Sequence, residues 1–524
     1  MDVTLTGTGP AAEEQADRRR WIVLGVMCLS LLLIVVDNTI VNVALPTLQR
    51  ELDATTSQLQ WVVDSYILVF AGLLLTMGSL GDRFGRKGAL SIGLSIIGLA
   101  SIGSAFAGSA NQLIAIRAVM GIGGALVMPA TLSIITNVFT DRKERAQAIA
   151  IWSASAGMAV AIGPVTGGYL LEHFWWGSVF LVNVPVVIVA LIHGAFFVPT
   201  SRDPAATPLD PVGAVLSIAG LVSLVWAIIE GPDGWTEPKI LVAFALAAVL
   251  LTIFVLWERH TTYPMLDMAF FADRRFSAAS GAIALTFFAM FGSLFLLTQF
   301  LQSVLGYTAF EAGVRLIPMA AVQVVVAPAS AKIVERVGSK VIVGVGLGTA
   351  ALGLVLASQL SAEATYPQVL LALVVLAAGL ALVMPTATES IMGSLPPAKA
   401  GVGSAVNDTT RELGGALGVA VLGSLVASHF RSSLRDAPGS IPDSATHSLA
   451  EALRHAQSVG GAAGAGLANA ARGAFVDAFD ATMWVAVVVA VAAAGLVAWL
   501  LRSKVARTVE VYSDQPTPSV PERA

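Results

Sequence analysis

The sequence predicts an all-α polytopic membrane protein of fourteen transmembrane helices: two related six-helix bundles with a helical pair inserted between them. Three observations carry this prediction. Hydrophobic residues make up 56% of the 524 and charged residues only 12%, with a mean hydropathy of +0.79. A soluble domain carries roughly 25% charged residues, so this chain lacks the charge to face water. Its apolar residues form continuous runs of about twenty, and in lipid such runs select helices over a barrel because backbone groups must pair internally. Finally, Asp82-Arg83-Phe84-Gly85-Arg86-Lys87 returns as Glu335-Arg336-Val337-Gly338-Ser339-Lys340, and Ala125-Leu126-Val127-Met128-Pro129 returns unchanged as Ala381-Leu382-Val383-Met384-Pro385. The two offsets differ by only three residues, as expected of a duplicated half.

The chain opens with a polar tail, 1–20, ending in Arg18, Arg19 and Arg20. The apolar run behind it lacks the short core and small-residue cleavage site of a signal peptide, so it reads as a retained first helix. Spans are predicted at 21–45, 58–80, 88–109, 112–136, 146–171 and 177–198 for the first bundle (21–198). The inserted pair, 211–230 and 238–257, lies within 199–275. The second bundle (276–504) holds 277–303, 312–334, 340–360, 367–392, 401–428 and 479–501. Its long extracellular loop, 429–478, contains an Ala-rich stretch around His447–Val459 that reads equally as an amphipathic helix lying over the extracellular mouth or as a flexible loop. The tail 505–524 is polar and reads as disordered.

Orientation follows from Lys and Arg in alternate loops. Arg83, Arg86 and Lys87; Arg142, Lys143 and Arg145; Arg202; Arg259, Arg274 and Arg275; Lys332, Arg336 and Lys340; and Lys399 fall on one side, leaving little beyond Arg50 and Lys239 in the short loops opposite. The long loop 429–478 carries Arg431, Arg435, Arg454 and Arg472, but loops of that length translocate regardless of charge. The basic side, with both termini, is predicted to be cytoplasmic. Cys28 is the sole cysteine, which leaves neither a disulfide framework nor a thiolate metal cluster, and the scattering of the six histidines disfavours the alternative of a membrane-embedded enzyme. The absence of a GxxxxGK[ST] loop disfavours an ATP-driven pump. Parallel six-helix repeats are a transporter architecture, with the substrate path between halves.

The stretch Gly78-Ser79-Leu80-Gly81-Asp82-Arg83-Phe84-Gly85-Arg86-Lys87 resembles the signature loop of the major facilitator superfamily. Leu33–Pro46 (LIVVDNTIVNVALP) resembles the first-helix motif of its fourteen-span drug:proton antiporter branch. Arg117 through Gly124 resembles the fourth-helix motif, and Gly157 through Gly163-Pro164-Val165-Thr166-Gly167-Gly168 the antiporter motif of the fifth. Phe180-Leu181-Val182-Asn183-Val184-Pro185 extends the likeness, which covers 21–430 and the last span. The second-half counterpart of Arg117 falls near Leu373, so this arginine exists once. The resemblance implies a major facilitator fold in a bacterial inner membrane, exporting amphiphilic and often cationic compounds in exchange for protons. It implies no cofactor, the proton gradient being the driving force. Small substrates, protons and membrane lipids are the expected partners of a monomer that binds no nucleic acid.

Ionisable side chains inside a bilayer cost at least about 2.5–3.5 kcal/mol each and usually act on ions or charged substrates. The candidates are Asp37, Asp64, Arg117, Asp408 and Glu412, with Arg411 beside the last two and Glu389 more marginal. Counting about 1.5 Å per residue places Asp37, Asp64 and Arg117 at one outer depth. Burial favours a neutral carboxyl and a neighbouring guanidinium a charged one, so a carboxyl between the two can take up and release a proton. The bland alternative is a fixed ion pair. Asp408 and Glu412, four apart, share a helix face and are expected in the inner half of their span, at the opposite depth; solvation near the cytoplasm is their bland reading.

Asp82 is suited to meet the positive N-terminus of a neighbouring helix. With Gly78, Arg83, Gly85, Arg86 and Lys87 it resembles the family's conformational latch, in which the basic residues pair with acids of the other half. Gly157, Gly163, Pro164, Gly167 and Gly168 allow close helix approach and a kink, and in the family this hinge seals antiporters against leak. Trp61, Tyr66, Trp152, Phe288, Phe291 and Phe295 are candidate cavity aromatics for flat cations. His193 and Cys28 read as packing residues.

Overall fold

A computed structural model describes residues 10–202, 209–394, 400–435, 442 and 446–500. Lys399 and the expected disordered tail, 505–524, lie outside the described residues. The first bundle comprises α1 (Pro10–Glu51), α2 (Thr56–Phe84), α3 (Arg86–Ala105), α4 (Ala110–Val138), α5 (Arg142–His173), the short α6 (Ser178–Leu181) and α7 (Asn183–Phe197). The insert is α8 (Pro211–Glu230) and α9 (Pro238–His260). The second bundle comprises α10 (Arg274–Gln299), α11 (Ala309–Val337), α12 (Ser339–Ser358), α13 (Tyr366–Gly393), α14 (Ala400–Arg435), α15 (Leu449–Val459) and α16 (Gly461–Leu500). With α6 and α7 forming one segment and α15 set aside, fourteen helical segments are long and apolar enough to cross a membrane.

The sequence repeat is a repeat of physics. α2 starts at a capping box of Thr55 and Gln58 and stops at Gly85, whose φ of +127° suits glycine and whose N–H reaches the Gly81 carbonyl. α11 starts at a capping box of Thr308 and Glu311 and stops at Gly338, φ +82°, bonded to the Val334 carbonyl. In each half the next helix begins at the following residue. A Cβ on Gly93 would sit 2.8 Å from the Gly123 carbonyl oxygen and 2.7 Å from Val127; one on Gly346 would sit 2.9 Å from Gly379 and 2.7 Å from Val383. Both halves therefore press their third helix against their fourth at the same register.

Three boundaries differ from expectation. α1 begins at Pro10, so much of the predicted 1–20 tail is helical. α14 runs on to Arg435 and α16 begins at Gly461, which turns most of the expected loop 429–478 into helix. Gly461–Ala478 is Ala-rich, and alanine has the best intrinsic helix propensity. The amphipathic stretch is α15, which buries Leu449, Ala452 and Ala456 on one face, against α16.

The basic loops mark one end of the bundle, here the basic end; the other is the far end. Among the described residues, side-chain hydrogen bonds between the halves lie at the far end. Gln60 of α2 donates to the Val419 and Ala420 carbonyls of α14 at 3.1 and 3.0 Å, and Gln302 donates to Val43 at 2.9 Å. Arg454 of α15 pairs with Asp53, and Thr56 donates to the His447 carbonyl at 3.2 Å. The insert packs along α2, where Gly72 leaves room for Ile218. Its base is tied by Asp210, which caps α8 through the Gly213 N–H (2.8 Å) and accepts from Trp257 Nε1 at 3.0 Å. Glu258 accepts from the Leu266 N–H at 2.8 Å.

Candidate transport site

Asp37 of α1 and Arg117 of α4 form an ion pair at 2% and 0% exposure. The second carboxylate oxygen of Asp37 accepts from Asn183 Nδ2 at 2.8 Å, and Asn183 also donates to Ser101 Oγ at 3.2 Å. Arg117 Nε donates to the Val62 carbonyl at 3.1 Å, and the guanidinium lies 4.6 Å above the Tyr66 ring. Glycines make this contact possible. A Cβ on Gly121 would sit 2.6 Å from the Tyr66 carbonyl oxygen, and one on Gly124 would sit 2.7 Å from the Tyr66 hydroxyl. Buried charges are tolerated when paired and further hydrogen-bonded, and both conditions hold for Asp37. Asn183 carries no role in the sequence reading. Its signal was available, as a lone amide in an apolar run at the depth of Asp37.

Asp64 is at 0% exposure, and neither of its oxygens has a hydrogen-bond partner. It sits outside the Asp37–Arg117 pair although its depth matches. Arg117 engages α2 through Val62 and Tyr66, whereas Gln60 and Asp64, four apart, share the stripe turned toward α14.

In the second half, Asp408 faces Arg411 at 3.5 Å and Asn407 at 3.4 Å, and the Arg411 guanidinium lies 4.8 Å above the Phe287 ring. Glu412 has one buried oxygen, Oε2, without a partner. The expected opposite depth of these acids is corrected here. Gln60 of α2 pairs with Val419 and Ala420 of the antiparallel α14. Counting about 1.5 Å per residue from that contact puts Glu412 within roughly 5 Å of the level of Tyr66, and Asp408 one turn further toward the basic end. The Tyr66 hydroxyl lies in the electrostatic field of Asp37, Arg117 and Glu412 together. Glu389 is exposed on α13.

The signature loop is held by its own half and by the segment that leads into the insert. Asp82 pairs with Arg86 at 2.7 Å, the Arg86 N–H reaches the Ser201 carbonyl at 3.0 Å, and Lys87 reaches the Ala195 carbonyl near the C-terminus of α7 at 2.7 Å. Cations belong at such a negative helix end. Arg83 packs on Phe84, and Gly78 lies against Pro129. The expected pairing of the basic residues with acids of the other half is not seen among the described residues, in line with halves that join at the far end.

In the glycine-rich stretch of α5, a Cβ on Gly163 would collide with Thr39 Oγ1 at 1.9 Å, and one on Gly167 with Ile40 at 2.5 Å. Both lie two to three residues from Asp37. A Cβ on Gly168 would sit 2.4 Å from the Phe310 backbone, and one on Gly313 would sit 2.2 Å from the Pro164 carbonyl oxygen, so α5 and α11 meet backbone to backbone across the halves. Gly157 differs: a Cβ there would meet nothing within 4 Å. Of the candidate aromatics, Trp61, Trp152 and Phe291 are half-buried, whereas Tyr66, Phe288 and Phe295 are buried and present no face to an open cavity in this state. His193 is exposed on α7 and stacks only on Phe197, a surface residue rather than a packing one.

The chain matches the Major Facilitator Superfamily over residues 27–419. It is 36% identical to the multidrug efflux pump LfrA of Mycolicibacterium smegmatis, over 93% of this chain and 98% of that protein. It is 34% identical to the methyl viologen resistance protein SmvA of Salmonella typhimurium, over 87% and 93%. It is also 34% identical to the tetracenomycin C resistance and export protein of Streptomyces glaucescens, over 78% and 76%. A solved bacterial homologue of the human lysosomal transporter Spinster, inward-facing and occupied, shares the fold with a TM-score of 0.65 at 19% identity, covering 94% of this chain and 97% of that one. The duplicated bundles, the signature loop and this match across most of the length agree: the chain belongs to the Major Facilitator Superfamily.

Proposed function

We propose that this protein is a secondary active exporter that moves amphiphilic, often cationic compounds out of the cell in exchange for protons. The observation that carries the proposal is the unequal treatment of the buried acids. Asp37 is neutralised and held by Arg117 and Asn183, while Asp64 has no partner for either oxygen. A buried carboxylate left alone is costly, which marks Asp64 as the acid with most to gain from an exchanged proton or cation. Glu412, near the level of Tyr66 on the facing helix, and Asp408, one turn further toward the basic end, supply negative charge for a cationic substrate or a second proton. Resistance and export are named functions of LfrA, SmvA and the tetracenomycin C protein, which supports the substrate class. The last of these names a single antibiotic, which favours as a second reading a dedicated exporter of one endogenous compound.

With the basic end in the cytoplasm, halves joined at the far end leave the path open inward. Exchange then requires the far end to part, giving Asp64 access to the outside. The carboxylates serve transport rather than covalent chemistry, so we assign no enzymatic activity. Proteoliposomes with an imposed pH gradient test the reading with ethidium, a quaternary ammonium compound and a neutral amphiphile. Gradient-driven accumulation of the cations, lost in Asp408→Asn or Asp37→Asn, is expected. Full accumulation by either variant refutes the carboxylate assignment.

A further inference from the structure

The far end holds a cavity of about 520 Å³ walled by three parts of the chain: α2 and α4 of the first half, the end of inserted helix α8, and α14 of the second half. Its polar rim lies where helices end. Gln58 is in the first turn of α2, Asn111 in that of α4, and Glu230 is the last residue of α8. Ends of membrane-spanning helices sit at the headgroup level of a bilayer. Below the rim, Trp61 and Ile114 continue the wall one turn into the apolar zone, and tryptophan is enriched at that boundary.

Opposite charges line the rim. Glu230 accepts from Ser57 Oγ at 2.6 Å through Oε1 alone, leaving Oε2 to receive another donor. Arg431 of α14 donates to the Pro232 carbonyl at 2.9 Å, so its guanidinium is fixed beside the insert. Gln58 and Asn111 pair at 2.9 Å on the opposite wall. One carboxylate, one guanidinium and a bank of amides suit a ligand that carries an ammonium and a phosphate together. They suit a purely cationic or purely anionic ligand less well, because either would meet a like charge.

We propose that this cavity is a binding site for a zwitterionic phospholipid headgroup, its ammonium on Glu230 and its phosphate on Arg431, with acyl chains leaving past Trp61 and Ile114. The site draws on both halves and on the insert. It is complete only while the far end is closed, so an occupying lipid favours that state by its differential affinity. This gives the inserted pair a task that its lack of central charges otherwise leaves unassigned.

Native mass spectrometry of the full-length protein tests the site without requiring transport, so its outcome is independent of the exchange reading above. Delipidated protein is titrated with phosphatidylethanolamine and, separately, phosphatidylglycerol. Wild type is expected to retain at least one phosphatidylethanolamine about tenfold more strongly than phosphatidylglycerol, the equivalent of about 1.4 kcal/mol. Glu230→Gln is expected to erase the preference and Glu230→Asp to keep part of it. Ala427→Phe, which fills the cavity from α14 without touching a charge, is expected to displace the lipid. Equal retention of the two lipids by wild type overturns the proposal, as does an unchanged preference in both Glu230→Gln and Ala427→Phe. Displacement of an unselective lipid by tetraphenylphosphonium overturns it in favour of a substrate site.

Discussion

Replacing Asp37 by Asn removes one charge from the buried pair while keeping the shape of the side chain. The new Oδ1 can still accept from Asn183, but the amide NH2 would face the Arg117 guanidinium, donor against donor. Arg117, at 0% exposure, is left with the Val62 carbonyl, the Met120 sulfur and the Tyr66 ring as its remaining support. Breaking a buried pair from one side costs about 3–5 kcal/mol, whereas replacing both charges with neutral groups is often near neutral. Asp37→Asn is therefore expected to melt well below wild type in lipid nanodiscs, and Asp37→Asn/Arg117→Met to return to within about 1 kcal/mol of it. Proton-driven efflux is expected to be lost in both. Thermal unfolding followed by tryptophan fluorescence, beside efflux in proteoliposomes, separates the two effects. A single variant as stable as wild type, or a double variant that regains coupled efflux, refutes the assignment of Asp37 to both structure and transport.

Asp64→Asn removes a charge that no partner offsets, so stability is expected to hold or rise while pH-driven accumulation disappears; a large drop in melting temperature would show a hidden partner. Gly163→Ala would drive a methyl into Thr39 and is expected to cost about 1–3 kcal/mol by overpacking, with efflux reduced. Gly157→Ala serves as the control and is expected to match wild type in both assays. At the far-end helix α15, burial raises the Glu451 carboxyl above its usual range; His447, Arg454 and Ser448 work in the lowering direction and Asp53 in the raising one. A folded-state carboxyl that binds its proton more tightly contributes stability at low pH that is lost as pH rises past its ordinary value. Hydrogen exchange across Leu449–Val459 is thus expected to quicken from pH 5 to pH 7.5 beyond the intrinsic rate, and Glu451→Gln to remove that excess.

The helical architecture is legible in the sequence because lipid enforces it: apolar runs, Lys/Arg asymmetry and the two glycine-terminated loops each report a constraint that only helices satisfy. The partnership of Asp37 with Arg117 follows from depth counting. The same counting misplaces Asp408 and Glu412, because it takes residue 401 as the membrane boundary while α14 extends through 36 residues and finds its register against Gln60. Helix rotation is what the sequence hides. Asp64 and Tyr66 are two residues apart, yet one sits isolated on the α14-facing stripe and the other lies under Arg117. The latch residues show a different limit, since their partners depend on which state the halves occupy.

The seam between α5 and α11 has a kinetic consequence. Gly168 rests on the backbone of Ala309 and Phe310, and Gly313 on that of Pro164 and Val165, with the Tyr169 and Phe310 rings meeting edge to face beside them, so the two surfaces interlock little there. Separating the glycine faces forfeits dispersion contacts, each worth about 0.1–0.2 kcal/mol, and parting the two rings adds about 0.5–1.5 kcal/mol. A seam built this way can part and close again quickly over many cycles.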